Sequence, residues 1–120
     1  MQPITPRLHG VLDYLVGTLI VATPWLFGFA SGGVETWVLV AAGAATIAYS
    51  ALTDYELGLA HRIPLPIHLA LDFMIGAAVA FSPWLFGFAD LVRAPHVVLG
   101  VFDVGLALLT SSRAAAVEAE

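Results

Sequence analysis

The chain has 120 residues, 60% of them hydrophobic and 11% charged, with nine acidic against four basic residues, a net charge of −5 and no cysteine. That leaves too little polar surface to coat a soluble globule, so the composition reads as an integral membrane protein; a mean hydropathy of +0.94 agrees. It also excludes a disulfide framework and a thiolate metal site, and four arginines in a net-acidic chain exclude nucleic acid as a partner.

Four apolar runs come near the roughly 20 residues that a membrane helix requires: about 9–29, 34–53, 66–88 and 95–112. Only Arg7 precedes the first, and no small-residue cleavage site follows a short apolar core, so this run is read as a retained anchor. The turn Ala30, Ser31, Gly32, Gly33 makes the first two runs antiparallel neighbours, and Asp90 to Pro95 does the same for the last two. The segment from Asp54 to Arg62, closed by Pro64 and Pro66, reads as a solvated linker, and Asp54, Glu56 and His61 in it as surface charge. The expected fold is therefore an all-α membrane protein of four transmembrane helices, one domain over 1–120, made of two helical hairpins at 9–53 and 66–112. Arg7, Arg62 and Arg113 fall on one side of this plan and Arg93 on the other, which puts both termini and the linker in the cytoplasm and relates the hairpins as parallel repeats. The tail from Ala114 to Glu120 is expected to fray.

The duplication is explicit. Thr23, Pro24, Trp25, Leu26, Phe27, Gly28, Phe29 recurs 59 positions later as Ser82, Pro83, Trp84, Leu85, Phe86, Gly87, Phe88. The same spacing carries His9 onto His68, Asp13 onto Asp72 and Gly17 onto Gly76; it also sets Trp37 against His96 and leaves Asp103 opposite Ala44, without a counterpart. His9 and Pro24 lie about 22 Å apart along a helix, so the histidines belong at one interface and the aromatic segments at the other. There Trp25, Phe27, Phe29, Trp84, Phe86 and Phe88 suit an interfacial belt. Pro24 and Pro83 each free a carbonyl, which the hydroxyls of Thr23 and Ser82 are placed to satisfy while the helix bends or stops.

Each His and Asp pair is spaced i, i+4 and shares a helix face. Two separate His–Asp hydrogen bonds pinning the first helix to the third is the simpler expectation. A shared site that holds a divalent metal or relays protons is the sharper one. Asp103, near mid-membrane, is expected to bond Tyr49, Thr46 or Thr18, or to face a subunit contact. Haem ligation between His9 and His68 is compatible with their common depth, but nothing else calls for a cofactor, and neither cofactor nor metal is assigned. No nucleophile elbow, His-Glu-x-x-His, phosphate loop or Cys-x-x-Cys is present, so no enzymatic activity is expected.

The doubled signature, with His and Asp upstream at fixed distances, resembles the SPW repeat family of small bacterial membrane proteins over nearly the whole chain from His9 to Thr110. Ser82, Pro83, Trp84 match the signature in letters, and Thr23 in the first copy keeps the hydroxyl. The resemblance implies a membrane location and a two-repeat fold with two membrane helices per repeat, and no reaction. The expected function is a non-enzymatic inner-membrane protein acting by helix association, as a homo-oligomer or as a subunit of a larger membrane complex. The alternative is a small transporter, channel or proton- or cation-binding protein using His9, Asp13, His68 and Asp72, with Asp103 deeper along a path.

Overall fold

The computed structural model describes residues 4–110; Arg113, the tail and the last residues of the fourth apolar run lie outside that range. Four helices follow one another: α1 Pro6–Leu26, α2 Val34–Ala51, α3 Leu65–Leu85 and α4 Ala94–Leu109. No named strand occurs among the described residues. Two of the helices, α2 and α3, are long and apolar enough to cross a membrane, and α4 is apolar but shorter, at 16 residues.

The helix ends depart from the hydropathy runs for local reasons. α1 starts three residues before the expected position, because the Thr5 side chain accepts from Leu8 N at 3.2 Å and Pro6 takes the first helical turn, where its missing N–H costs nothing. α1 and α3 end at Leu26 and Leu85, not at Phe29 and Phe88. Gly28 and Gly87 take φ of 73° and 74°, a left-handed turn that only glycine enters without strain. Phe29 N then bonds Pro24 O, and Phe88 N bonds Pro83 O, each at 2.8 Å, while Gly28 N reaches Trp25 O at 3.3 Å. This is the Schellman closure of a helix C-terminus, and the repeated Pro-Trp-Leu-Phe-Gly-Phe is its sequence. The prolines lie inside the last turn and the helix runs on past them until the glycine. Ser82 Oγ donates to Val79 O, the carbonyl that Pro83 frees, at 2.6 Å; Thr23 Oγ1 bonds Leu19 O instead, at 2.7 Å.

Within each hairpin the backbones touch. A Cβ on Gly43 would stand 2.6 Å from Gly17 O, and one on Gly100 2.5 Å from both Gly76 O and Ala80 N. Small residues thus serve the close approach of α1 to α2 and of α3 to α4, whereas α2 with α3 and α1 with α4 touch more sparingly. These glycines also correct the internal alignment: Gly43 to Gly100 is a spacing of 57, as is Thr53 to Thr110, two fewer than between the first helices. In that register Asp103 does have a counterpart, Thr46, and His96 answers to Leu39 and not to Trp37.

The two hairpins close into a ring. Ile4 bridges Thr110 and Ile63 bridges Thr53, both in parallel, with Ile4 N on Leu109 O at 3.1 Å and Ile63 N on Leu52 O at 2.7 Å. The segment leading into each repeat is therefore clipped to the end of the other repeat, and Ile4, the linker and Thr110 share one end of the bundle. Between the hairpins, towards the opposite end, lies an apolar core of Ile20, Leu39, Ala42 and Val79.

Candidate functional site

The other half of the inter-hairpin seam is polar. His9 and Asp13 sit one turn apart on α1, His68 and Asp72 one turn apart on α3, and all four are essentially inaccessible to solvent. They do not form two local pairs. His9 Nε2 lies 2.7 Å from Asp72 Oδ2 and 3.1 Å from Asp13 Oδ1; His68 Nε2 lies 2.9 Å from Asp13 Oδ2 and 3.1 Å from Asp72 Oδ2. Each imidazole thus faces both carboxylates, and one potential ligand atom from each of the four residues falls within 4.8 Å of the others. The rings meet edge to face with centroids 5.4 Å apart and the carboxylates between them, which leaves no slot for a macrocycle.

Four further side chains hold this centre. His9 Nδ1 is 2.6 Å from Thr110 Oγ1, and His68 Nδ1 is 2.6 Å from Thr53 Oγ1. Each threonine gives its only proton to the carbonyl one turn back, Leu106 O at 2.6 Å and Tyr49 O at 2.7 Å. Both hydroxyls must then accept, so both imidazoles carry a proton on Nδ1. Tyr49 donates to Asp72 Oδ1, and Tyr55 donates to Asp13 Oδ2 at 2.9 Å. Burial and then the Asp13 charge push the Tyr55 phenol above its ordinary range, so it stays a donor.

Tyr55 changes the reading of the linker. Asp54, Glu56 and His61 are exposed as expected, with Arg7 on Glu56 at 3.4 Å and His61 on Asp54 at 3.2 Å. Tyr55 and Leu57 between them turn inward: Tyr55 is buried, Leu57 and Tyr55 pack over Gly10, and Leu57 O accepts from Tyr14 at 2.9 Å, while Leu59 stays exposed. The linker is a plug over the polar centre.

Asp103 lies about 10 Å deeper than Thr110 along α4 and is buried, yet the three partners expected for it are engaged elsewhere. Tyr49 is on Asp72, Thr46 on Ala42 O at 2.8 Å and Thr18 on Tyr14 O at 2.7 Å. Its carboxyl is not one of the four convergent groups.

At the far end Trp25, Phe27, Trp84 and Phe86 point outward, as a belt requires. Phe29 and Phe88 do not: past the glycine turn the chain folds back, and both rings flank buried His96, with centroids 5.6 and 4.8 Å away. His96 Nε2 donates to Glu35 O at 2.9 Å. Sequence reasoning missed Thr53, Thr110 and Tyr55, and assigned Tyr49 to Asp103 and not to Asp72. The first two were visible as a threonine pair at the spacing of the glycine pair; Tyr49 has no tyrosine counterpart in the second repeat and Tyr55 lies in the linker, so neither leaves a repeat signal.

A duplicated helical hairpin with apolar outer faces and a buried His/Asp centre on its pseudo-twofold defines a class of membrane-associated repeat protein. The chain belongs to the SPW repeat family, whose domain model matches residues 7–110. No curated protein and no solved structure matches it.

Proposed function

We propose that this chain is a non-enzymatic protein of the cytoplasmic membrane, crossing it four times with linker and termini inside, and that it binds a cation, proton or metal, at the centre shared by its repeats. The crossed arrangement carries this reading, because each histidine faces both carboxylates and not only the one on its own helix. Two buried carboxylates without compensating positive charge are untenable in hydrocarbon, and the imidazoles face them with the nitrogen that takes up a proton or a metal. A purely structural clamp is served as well by neutral hydrogen bonds, at less desolvation cost. Four spans are supported by the antiparallel order, which sets α1 and α4 beside α2 and α3. Arg7 and Arg62 at one end against Arg93 at the other favour the inward linker.

The test compares the wild-type chain with Asp13→Asn/Asp72→Asn in proteoliposomes, reading proton and metal uptake beside unfolding in detergent. Cation binding predicts that uptake is lost in the variant. Loss of stability with no uptake signal in either protein rejects it and leaves the clamp.

A second reading, association with another copy or with a larger membrane complex, is favoured by the outer face of α4. There a Cβ on Gly105 would meet nothing within 4 Å, beside exposed Val98, Val101 and Phe102. Gly105→Leu should shift the oligomer distribution in mild detergent, and an unchanged distribution counts against it.

A further inference from the structure

We infer that the cation is a divalent transition metal, zinc-like in its preference, held by His9 Nε2, His68 Nε2, Asp13 Oδ1 and Asp72 Oδ2; this rests on the cation-binding reading above and narrows it. The tautomer comes first. With Thr53 and Thr110 fixing the proton on Nδ1, the lone pair of each neutral imidazole is on Nε2, aimed at the carboxylates. Lone pair facing lone pair is repulsive unless something positive lies between them. An acceptor for the N–H on the far ring nitrogen is also the support that metal-bound histidines ordinarily have, and here a threonine hydroxyl supplies it.

The carboxylates are sorted in the same way. Tyr49 occupies Asp72 Oδ1 and Tyr55 occupies Asp13 Oδ2, which leaves Asp72 Oδ2 and Asp13 Oδ1 for the centre. Asp13 Oδ1 and His68 Nε2 are both fully buried, and neither has a hydrogen-bond partner. His68 Nε2 comes within 2.9 and 3.1 Å of carboxylate oxygens, yet the ring plane directs it at neither. His9 Nε2 and Asp72 Oδ2 meet directly at 2.7 Å, and the two partnerless atoms face the same centre.

Size and charge agree. Four ligands at about 2.0–2.1 Å from a tetrahedral ion stand about 3.3 Å apart; three of the six separations across the chosen ligand set are 2.7, 3.1 and 3.1 Å, and one ligand atom from each residue lies within 4.8 Å of the others. An opening of a few tenths of an ångström admits the ion. One divalent cation cancels two carboxylates, so the filled site is neutral in the low-dielectric seam. Two nitrogens and two oxygens suit zinc or cobalt, whereas magnesium and calcium require six or more oxygens. All four positions come from the protein, which makes the site closed and non-catalytic.

Cobalt(II) titrated into the purified full-length chain in detergent tests this. One equivalent per chain should bind with the intense visible absorption of tetrahedral cobalt, be displaced by zinc, and be undisturbed by millimolar magnesium or calcium. Asp13→Asn/Asp72→Asn should abolish the band. Thr53→Val/Thr110→Val leaves every ligand in place and should weaken binding about 10- to 100-fold. Cobalt that binds with a weak octahedral spectrum, or whose band survives the Asp substitutions in a folded protein, overturns the assignment. No metal binding by folded wild-type protein that still takes up protons through the Asp pair overturns the metal and spares the cation reading; neither signal overturns both.

Discussion

The two halves of the seam between the hairpins hold in different ways. Towards the far end, Ile20, Leu39, Ala42 and Val79 meet as hydrocarbon on hydrocarbon; in a bilayer such contacts gain little over lipid and contribute shape complementarity. Towards the linker, His9, Asp13, His68 and Asp72 meet with no water to replace any lost partner. The apolar half tolerates change, and the polar half dictates which helix faces which.

Substitutions that sharpen this contrast can be ranked. Asp72→Leu leaves two imidazoles and one carboxylate buried without balance and should cost about 3–5 kcal/mol, read as reversible unfolding in mixed micelles; a cost as small as that of Ile20→Val, about 0.5–1.5 kcal/mol, would erase the contrast. Gly100→Val acts within one hairpin, forcing a side chain against Ala80 N and Gly76 O, and should cost about 1–3 kcal/mol while leaving the cation signal in place. Gly87→Ala puts a Cβ on a left-handed residue in open space and should cost about 1–2 kcal/mol through the backbone alone. Glu56→Gln removes an exposed ion pair with Arg7 and should change stability by about 0–1 kcal/mol.

Much of this was legible in the sequence, and the limits have physical causes. Hydropathy located four helices and the 59-residue echo found the hairpins, because lipid demands long apolar runs and duplication copies them. Helix ends were misplaced by three residues at Leu26 and Leu85, since an apolar run does not stop where backbone geometry does; Gly28 and Gly87 set the stop, and a single glycine does not interrupt an apolar run. His9, Asp13, His68 and Asp72 were legible as a repeated pair. That they meet in one shared centre was one of two expectations and could not be decided, because i, i+4 spacing describes one helix and the pairing belongs to two. Tyr55 was hidden by its surroundings: the charged neighbours on either side of it made a plug look like a solvated loop.

The crossed clip of Ile4 on Thr110 and of Ile63 on Thr53 has an ancestral consequence. Each half hands its leading edge to the other, so two identical hairpins meeting face to face complete the same ring, with the covalent join adding only proximity. Once joined, the halves were released from being alike. The first carries the Tyr49 phenol, the join carries that of Tyr55 and the second an aspartate at mid-depth, a division of labour closed to a symmetric pair.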